Sequence, residues 1–182
     1  YYDHPVLETP HFDRMAREAC RMDHFYAAHP NCAPTRANIL TGRHPNRYGV
    51  FTPGLPLRPQ EVSIAQELKR AGYATAHFGK WHLGSVFESI PTNPTSFGFD
   101  EWYSAPNFYE NDPYFSHKGQ VVQKEGESSL VTADLAIDFM RKCVKKQQPF
   151  FELVWFGSPH KPHIAAPEFK QMYSNQPARD QD

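Results

Sequence analysis

Apolar and polar positions along this chain follow helical spacing in some stretches and short continuous runs in others. After Thr9-Pro10, Phe12, Met15, Ala16 and Ala19 recur at helical spacing, with Asp13, Arg14, Arg17 and Glu18 between them. Thr9 suits a cap and Pro10 the first helical position. Arg21 to Ala28 reads as a strand. Asn31 to Gly42 reads as the entry to a second helix, with Pro34 at its first position and Gly42 as its left-handed stop. Arg43 to Pro59, rich in Pro and Gly, reads as a loop. Glu61 to Ala71 is the next amphipathic helix, with Ile64, Ala65 and Leu68 inward and Gly72 ending it. Tyr73 to Phe78 is a short apolar strand, and Ser85 to Glu127 reads as long and irregular. Ser129 to Gln147 is a helix with Leu130, Ala133, Ile137, Met140 and Val144 on one side. Lys142, Lys145 and Lys146 crowd its last turns, which suits the helix dipole, and Pro149 stops it. Phe150 to Phe156 is a nearly continuous apolar strand, the type expected where both sheet faces are covered.

Strands that alternate with helices predict an α/β fold with a mostly parallel sheet flanked by helices. No internal repeat or domain boundary interrupts residues 1–182. Hydrophobic residues at 40% and charged residues at 21% fit an ordinary globular chain. A net charge of −1 offers no basic field for nucleic acid, and no apolar run is long enough to span a membrane. The chain begins at Tyr1 and ends in the polar run Ser174 to Asp182, so it reads as a piece of a longer protein. Its lack of a signal peptide then says nothing for the cytosol. The three cysteines, at 20, 32 and 143, make no CxxC pattern. Cys20 and Cys143 lie near the ends of apolar helical patterns and are expected as buried free thiols rather than a bridge.

Three polar clusters each begin just after an expected strand: Cys32/Arg36, Lys80/His82 and His160/Lys161/His163. In open α/β sheets ligands gather beyond the carboxyl ends of strands, so distant clusters can meet there. Cys32 sits at a helix mouth, where free N–H groups and the dipole favour anions. Arg36 is in the first turn, and its side chain leans back toward the same mouth. A Cys-dependent phosphatase would need an Arg six residues after the Cys, where this chain has Asn38. Ser85 to Glu127 carries Phe97, Phe99, Trp102, Tyr103, Phe108, Tyr109, Tyr114 and Phe115 among acidic and amide residues. That mixture suits either sugar binding or a lid packed on the sheet edge.

Cys32, Pro34, Arg36, Thr41 and Gly42 together resemble the sulfatase signature, Cys-x-Pro-x-Arg followed by Thr-Gly. Gly79-Lys80-Trp81-His82-Leu83-Gly84 resembles the family's Gly-Lys-Trp-His motif. Phe97 to Tyr103 is similar to the stretch that follows it, and Ser158 to Pro162 resembles a later His-x-Pro element. The resemblance runs from Thr9 to about Phe169. It implies an alkaline-phosphatase-like three-layer αβα fold, incomplete at both ends. Residues 1–182 would then be part of a catalytic domain, without its first strand and C-terminal part.

The activity implied is sulfuric ester hydrolysis of the arylsulfatase type, with a carbohydrate sulfate favoured by the aromatic, acidic segment. Cys32, converted to formylglycine, would be the nucleophile and a metal ligand. Arg36 and Lys80 would stabilise its hydrate and charge, His82 would be the base, and His160 would bind sulfate and protonate the leaving oxygen. Lys161 and His163 are weaker candidates for substrate contact. The family's divalent cation, usually calcium, is held by a paired Asp and an Asp-Asn pair. Neither pair is visible here, and Asp3 and Asp100 are not substitutes, so the remaining ligands would lie outside the chain. The implied partners are a sulfated small molecule or glycan and a formylglycine-generating or anaerobic maturation enzyme, in a periplasmic or extracellular setting. Two other readings stay open: a phosphomonoesterase or phosphonate hydrolase of the same superfamily, and a catalytically silent binder of sulfated glycans.

Overall fold

The computed structural model describes residue 4 and residues 6–176. They fall into two compact units, Tyr1–Ala27 with Pro167–Asp182, and Ala28–Ala166. In the first unit, helix α1 (Pro10–Glu18) begins at the predicted Thr9-Pro10 step. It buries no residue, and Phe12 and Met15 are exposed, contrary to the expected inward face. Helical spacing marks an apolar face, but burial also needs a second surface against it. Arg21 to Ala28 is not a strand. Its large apolar residues Met22, Phe25 and Tyr26 are exposed, and Arg21 pairs with Asp23. A strand is stabilised by a neighbour's ladder, and this stretch has none. Cys20 is exposed rather than buried, whereas Cys143 is buried as expected.

The second unit carries the rest. Helix α2 spans Cys32–Thr41, so the helix starts two residues before Pro34, and Gly42 closes it at φ 65°. The expected 43–59 loop contains a one-turn helix, α3 (Pro45–Tyr48). Its N-cap His44 side chain accepts from the Asn46 amide, and Tyr48 is fully buried. Helix α4 (Ile64–Arg70) opens on a capping box between Ser63 and Gln66. Ala65 faces the core, while Ile64 is exposed.

Five strands form one sheet in the order β4-β3-β2-β1-β5. Strand β1 (Ala74–Lys80) is central and pairs in parallel with β2 (Glu101–Ala105) and β5 (Phe150–Trp155). Strands β3 (Tyr114–His117) and β4 (Gln120–Gln123) add an antiparallel hairpin, so the sheet is mixed. All three of β2, β3 and β4 lie within the stretch expected to be irregular. They are four or five residues long, too short for periodicity to stand out among Pro and Asn. The hairpin turns on Lys118 and Gly119, both at positive φ, which suits a tight two-residue loop.

Helices cover both faces of the sheet. On one face α2 and α4 pack through Ala33, Ala37, Leu40 and Ala65 against a core of Trp81, Phe97, Phe99 and Trp102, joined by Phe151, Leu153 and Trp155. On the other, helix α5 (Ser128–Lys145) packs on Ala76 and Phe78. Its buried stripe is Thr132, Ala136, Phe139 and Cys143. Leu130, Ile137 and Val144, expected inward, are exposed. The true face is displaced by one residue, about 100° around the helix. Small residues let α5 approach the sheet closely, and Phe139 fills the space against Phe78 and Phe150.

Candidate active site

The site forms at the carboxyl end of β1. Lys80 is the last residue of that strand rather than the first after it. Beyond it the parallel pairing with the β2 segment continues: the Trp81 amide donates to the Ala105 carbonyl at 2.8 Å and the His82 amide to the Pro106 carbonyl at 3.2 Å. This holds the Lys80–His82 turn rigidly, with His82 itself at φ 54°. The sulfur of Cys32, in the first turn of α2, lies 3.0 Å from His82 Nδ1. Two motifs fifty residues apart therefore touch.

Arg36 reaches the same place. One of its terminal nitrogens donates to the Lys80 carbonyl at 2.7 Å, and the guanidinium lies over the Trp155 ring at 4.6 Å from its centroid. Burial lowers the Arg36 pKa to about 10, and the negative charge that Cys32 and then Tyr109 carry when deprotonated opposes that shift. Lys80 is almost wholly buried. Its pKa is lowered, by burial first and by Arg36 as well, while Cys32 pulls the other way. The His82 pKa falls to about 4 through burial and the charges of Lys80, Arg36 and His160. At neutral pH this imidazole is uncharged and can accept a proton.

His160 follows β5 on an exposed stretch. Its ring stacks on Phe108, with centroids 4.4 Å apart and planes 12° apart. Its Nδ1 donates to the Lys161 carbonyl at 2.7 Å, which leaves Nε2 available. Lys80 Nζ lies 5.6 Å from the centre of the same Phe108 ring. Cys32, Arg36, Lys80, His82 and His160 thus converge. Lys161 enters through its backbone, and the side chains of Lys161 and His163 are exposed.

Three further residues shape the site and were not singled out from the sequence. Trp155 supplies the face under Arg36. His77 is fully buried, bonded through Nδ1 to Ser104 Oγ at 2.7 Å, and edge-on to Trp81, Phe99 and Trp155. Burial, then Arg36, lowers its pKa to about 3, so it stays neutral. A lone histidine inside an apolar strand was a readable signal. Phe108 was visible only as one of eight aromatics. Of those eight, Phe97, Phe99, Trp102 and Phe115 are core.

This arrangement suits an anion. Two cations, a neutral imidazole and an exposed imidazole surround one nucleophile-sized side chain. It does not suit a divalent cation by itself: among the described residues no group of three or more His, Cys, Asp or Glu is placed so that it could hold a metal ion. Asp100 is engaged by Lys69 and Thr75 instead.

The sulfatase family model matches residues 1–182. The chain is 35% identical over 179 residues to an ulvan-active sulfatase from Formosa agariphila, covering 96% of this chain and 35% of that protein. It is 35% identical over 203 residues to N-acetylgalactosamine-6-sulfatase from Rattus norvegicus, covering 92% of this chain and 38% of that one. A solved structure of a protein in complex with its substrate D-glucosamine-2-N,6-O-disulfate superposes with a TM-score of 0.83 at 30% identity, over 97% of this chain and 35% of that chain. The chain spans little more than a third of the length of these relatives. The architecture they share is the alkaline-phosphatase-like α/β fold.

Proposed function

Because this chain belongs to the sulfatase family, we propose that the protein it represents hydrolyses sulfate monoesters, with Cys32 as the position of the nucleophile. The observation that carries this is the meeting of Cys32 with His82 at 3.0 Å beside Arg36 and Lys80. The sulfur stands where the hydroxyl oxygens of a formylglycine hydrate would be. Such a hydrate supplies an oxygen nucleophile and, through its second hydroxyl, a way to expel sulfate.

The side chains around it have separable tasks. Arg36 and Lys80, both withdrawn from water, hold negative charge on the sulfuryl oxygens as it shifts toward the leaving group. His82, neutral at pH 7, takes the hydroxyl proton when sulfate is expelled. His160, with its Nδ1–H donated to the Lys161 carbonyl, presents Nε2 to sulfate and, in the imidazolium form, gives the Nε2 proton to the departing oxygen. A divalent cation, calcium in the family pattern, would need oxygen ligands other than the described residues, and no step above depends on it. The 182-residue piece alone would then be inactive or nearly so. Sulfate release from it at the rate of the whole protein would refute that.

The substrate class we favour is a carbohydrate sulfate. Relatives named for N-acetylgalactosamine-6-sulfate and for N-acetylglucosamine-6-sulfate support it, as does the neighbour bound to a sulfated glucosamine. A maturation enzyme and a periplasmic or extracellular setting follow from the same reading. No helix among the described residues is long and apolar enough to cross a membrane.

The test is a mass spectrum of the tryptic peptide Met22 to Arg36 from the whole protein. The expected peptide is lighter than its thiol form and reacts with hydrazides. An intact, alkylatable thiol would favour a silent glycan binder. Comparing turnover of aryl sulfate and aryl phosphate separates the sulfatase from a phosphomonoesterase of the same superfamily, with sulfate expected to win.

A further inference from the structure

We infer that Phe108 is a positioning residue that sets the orientation of His160. This rests on the reading of His160 as the group that protonates the leaving oxygen. His160 is on an exposed stretch after β5, and a histidine there would sample several rotamers unless something held its ring. The structure supplies three restraints. The Phe108 ring lies parallel to the imidazole with centroids 4.4 Å apart. The Lys161 carbonyl fixes Nδ1. The chain leading to His160 is docked on the neighbour of Phe108: a Cβ at Gly157 would meet the Tyr109 carbonyl oxygen at 2.8 Å and its ring at 3.3 Å, so only glycine permits this approach.

Phe108 is itself placed with precision. The segment before it is tied to the Lys80–His82 turn by the Ala105 and Pro106 carbonyls. Tyr109 after it bonds through its hydroxyl to Thr132 Oγ1 on α5 at 2.7 Å. The ring also lies 5.6 Å from Lys80 Nζ, a distance at which an aromatic face attracts a cation. One ring therefore spans the gap between a residue of the β1 end and a residue of the β5 end. It keeps His160 and Lys80 in a fixed relation on the two sides of a transferring sulfuryl group. The ring is 40% exposed and outside both cores, so shortening it leaves the fold intact.

The experiment uses the whole protein and two probes, 4-nitrophenyl sulfate and 4-methoxyphenyl sulfate. The first releases a phenolate that needs little protonation, the second one that needs more. Phe108→Leu is expected to lower kcat/KM for the methoxyphenyl ester relative to the nitrophenyl ester, shifting the ratio by roughly 30-fold, the scale of loss from a misplaced catalytic group. Phe108→Tyr keeps a ring there and restores the ratio. An equal loss on both probes, or no loss, overturns the proposal. His160→Asn is run beside them. If it lacks the leaving-group dependence, the role of His160 falls, and that of Phe108 with it. If it shows the dependence and Phe108→Leu does not, only the positioning role fails.

Discussion

At the scale of single residues, the site is built from groups that burial has changed. Arg36 is half-buried on an indole, with its Nε atom fully enclosed and lacking a hydrogen-bond partner. It is held by its contact over the Trp155 ring and by a bond to the Lys80 carbonyl. Lys at this position keeps the charge but not the planar guanidinium over Trp155 or the forked donors. Arg36→Lys should therefore lower kcat by roughly 100-fold, about 3 kcal/mol in the transition state, with little change in folding. Steady-state kinetics on an aryl sulfate beside a thermal melt checks this. His82 shows the same logic from the other side. A histidine in water is partly charged near neutrality, whereas burial first, and the cations around it second, keep this one neutral.

At the scale of elements, the decisive contact is between β1 and β5. Gly79, at φ +100°, lets the two strand ends close: a Cβ there would lie 2.0 Å from the Trp155 carbonyl oxygen and 2.8 Å from the Tyr109 hydroxyl. The first is backbone and cannot turn aside. Gly72 has a similar φ of +90° but open space around it. Gly79→Ala should destabilise the chain by about 3 kcal/mol or more and displace Trp155 from Arg36, whereas Gly72→Ala should cost about 1–2 kcal/mol of backbone strain alone. Urea denaturation of both variants separates the clash from the strain. Equal losses would mean that the β1–β5 approach is slack. The elements also show where periodicity misleads. On α5 Leu130, Ile137 and Val144 mark one stripe, and the sheet takes the neighbouring one, because close approach favours Ala136 and Cys143 over Ile137 and Val144 while Phe139 fills the remaining space.

At the scale of the whole molecule, pH reaches stability through a carboxyl at the sheet's β5 edge. Glu152 pairs in register with Ala76, on the apolar face under α5, with one oxygen buried and unpartnered. Burial raises its pKa from 4.5 to about 7. In the folded chain it keeps its proton up to that range, while the unfolded chain loses it near 4.5. Stability therefore falls as pH rises from about 4.5 through 7 and is level above. Glu152→Gln should be more stable than the parent by roughly 1 kcal/mol at pH 8, after solvent screening, and indistinguishable from it at pH 4. Denaturation curves at the two pH values decide it. What could be read from the residues alone was local. The helix starts at Thr9-Pro10 and near Asn31, the glycine stops at Gly42 and Gly72, the apolar strands and the spacing of Cys32 and Arg36 each depend on side chains a few positions apart. Folding in three dimensions decided which stripe of α5 is inside, that Arg21 to Ala28 forms no strand, and that three short strands extend the sheet. It also made Trp155, Phe108 and His77 neighbours of the cations. Those outcomes depend on the surface that another part of the chain presents, and local periodicity carries no record of that surface.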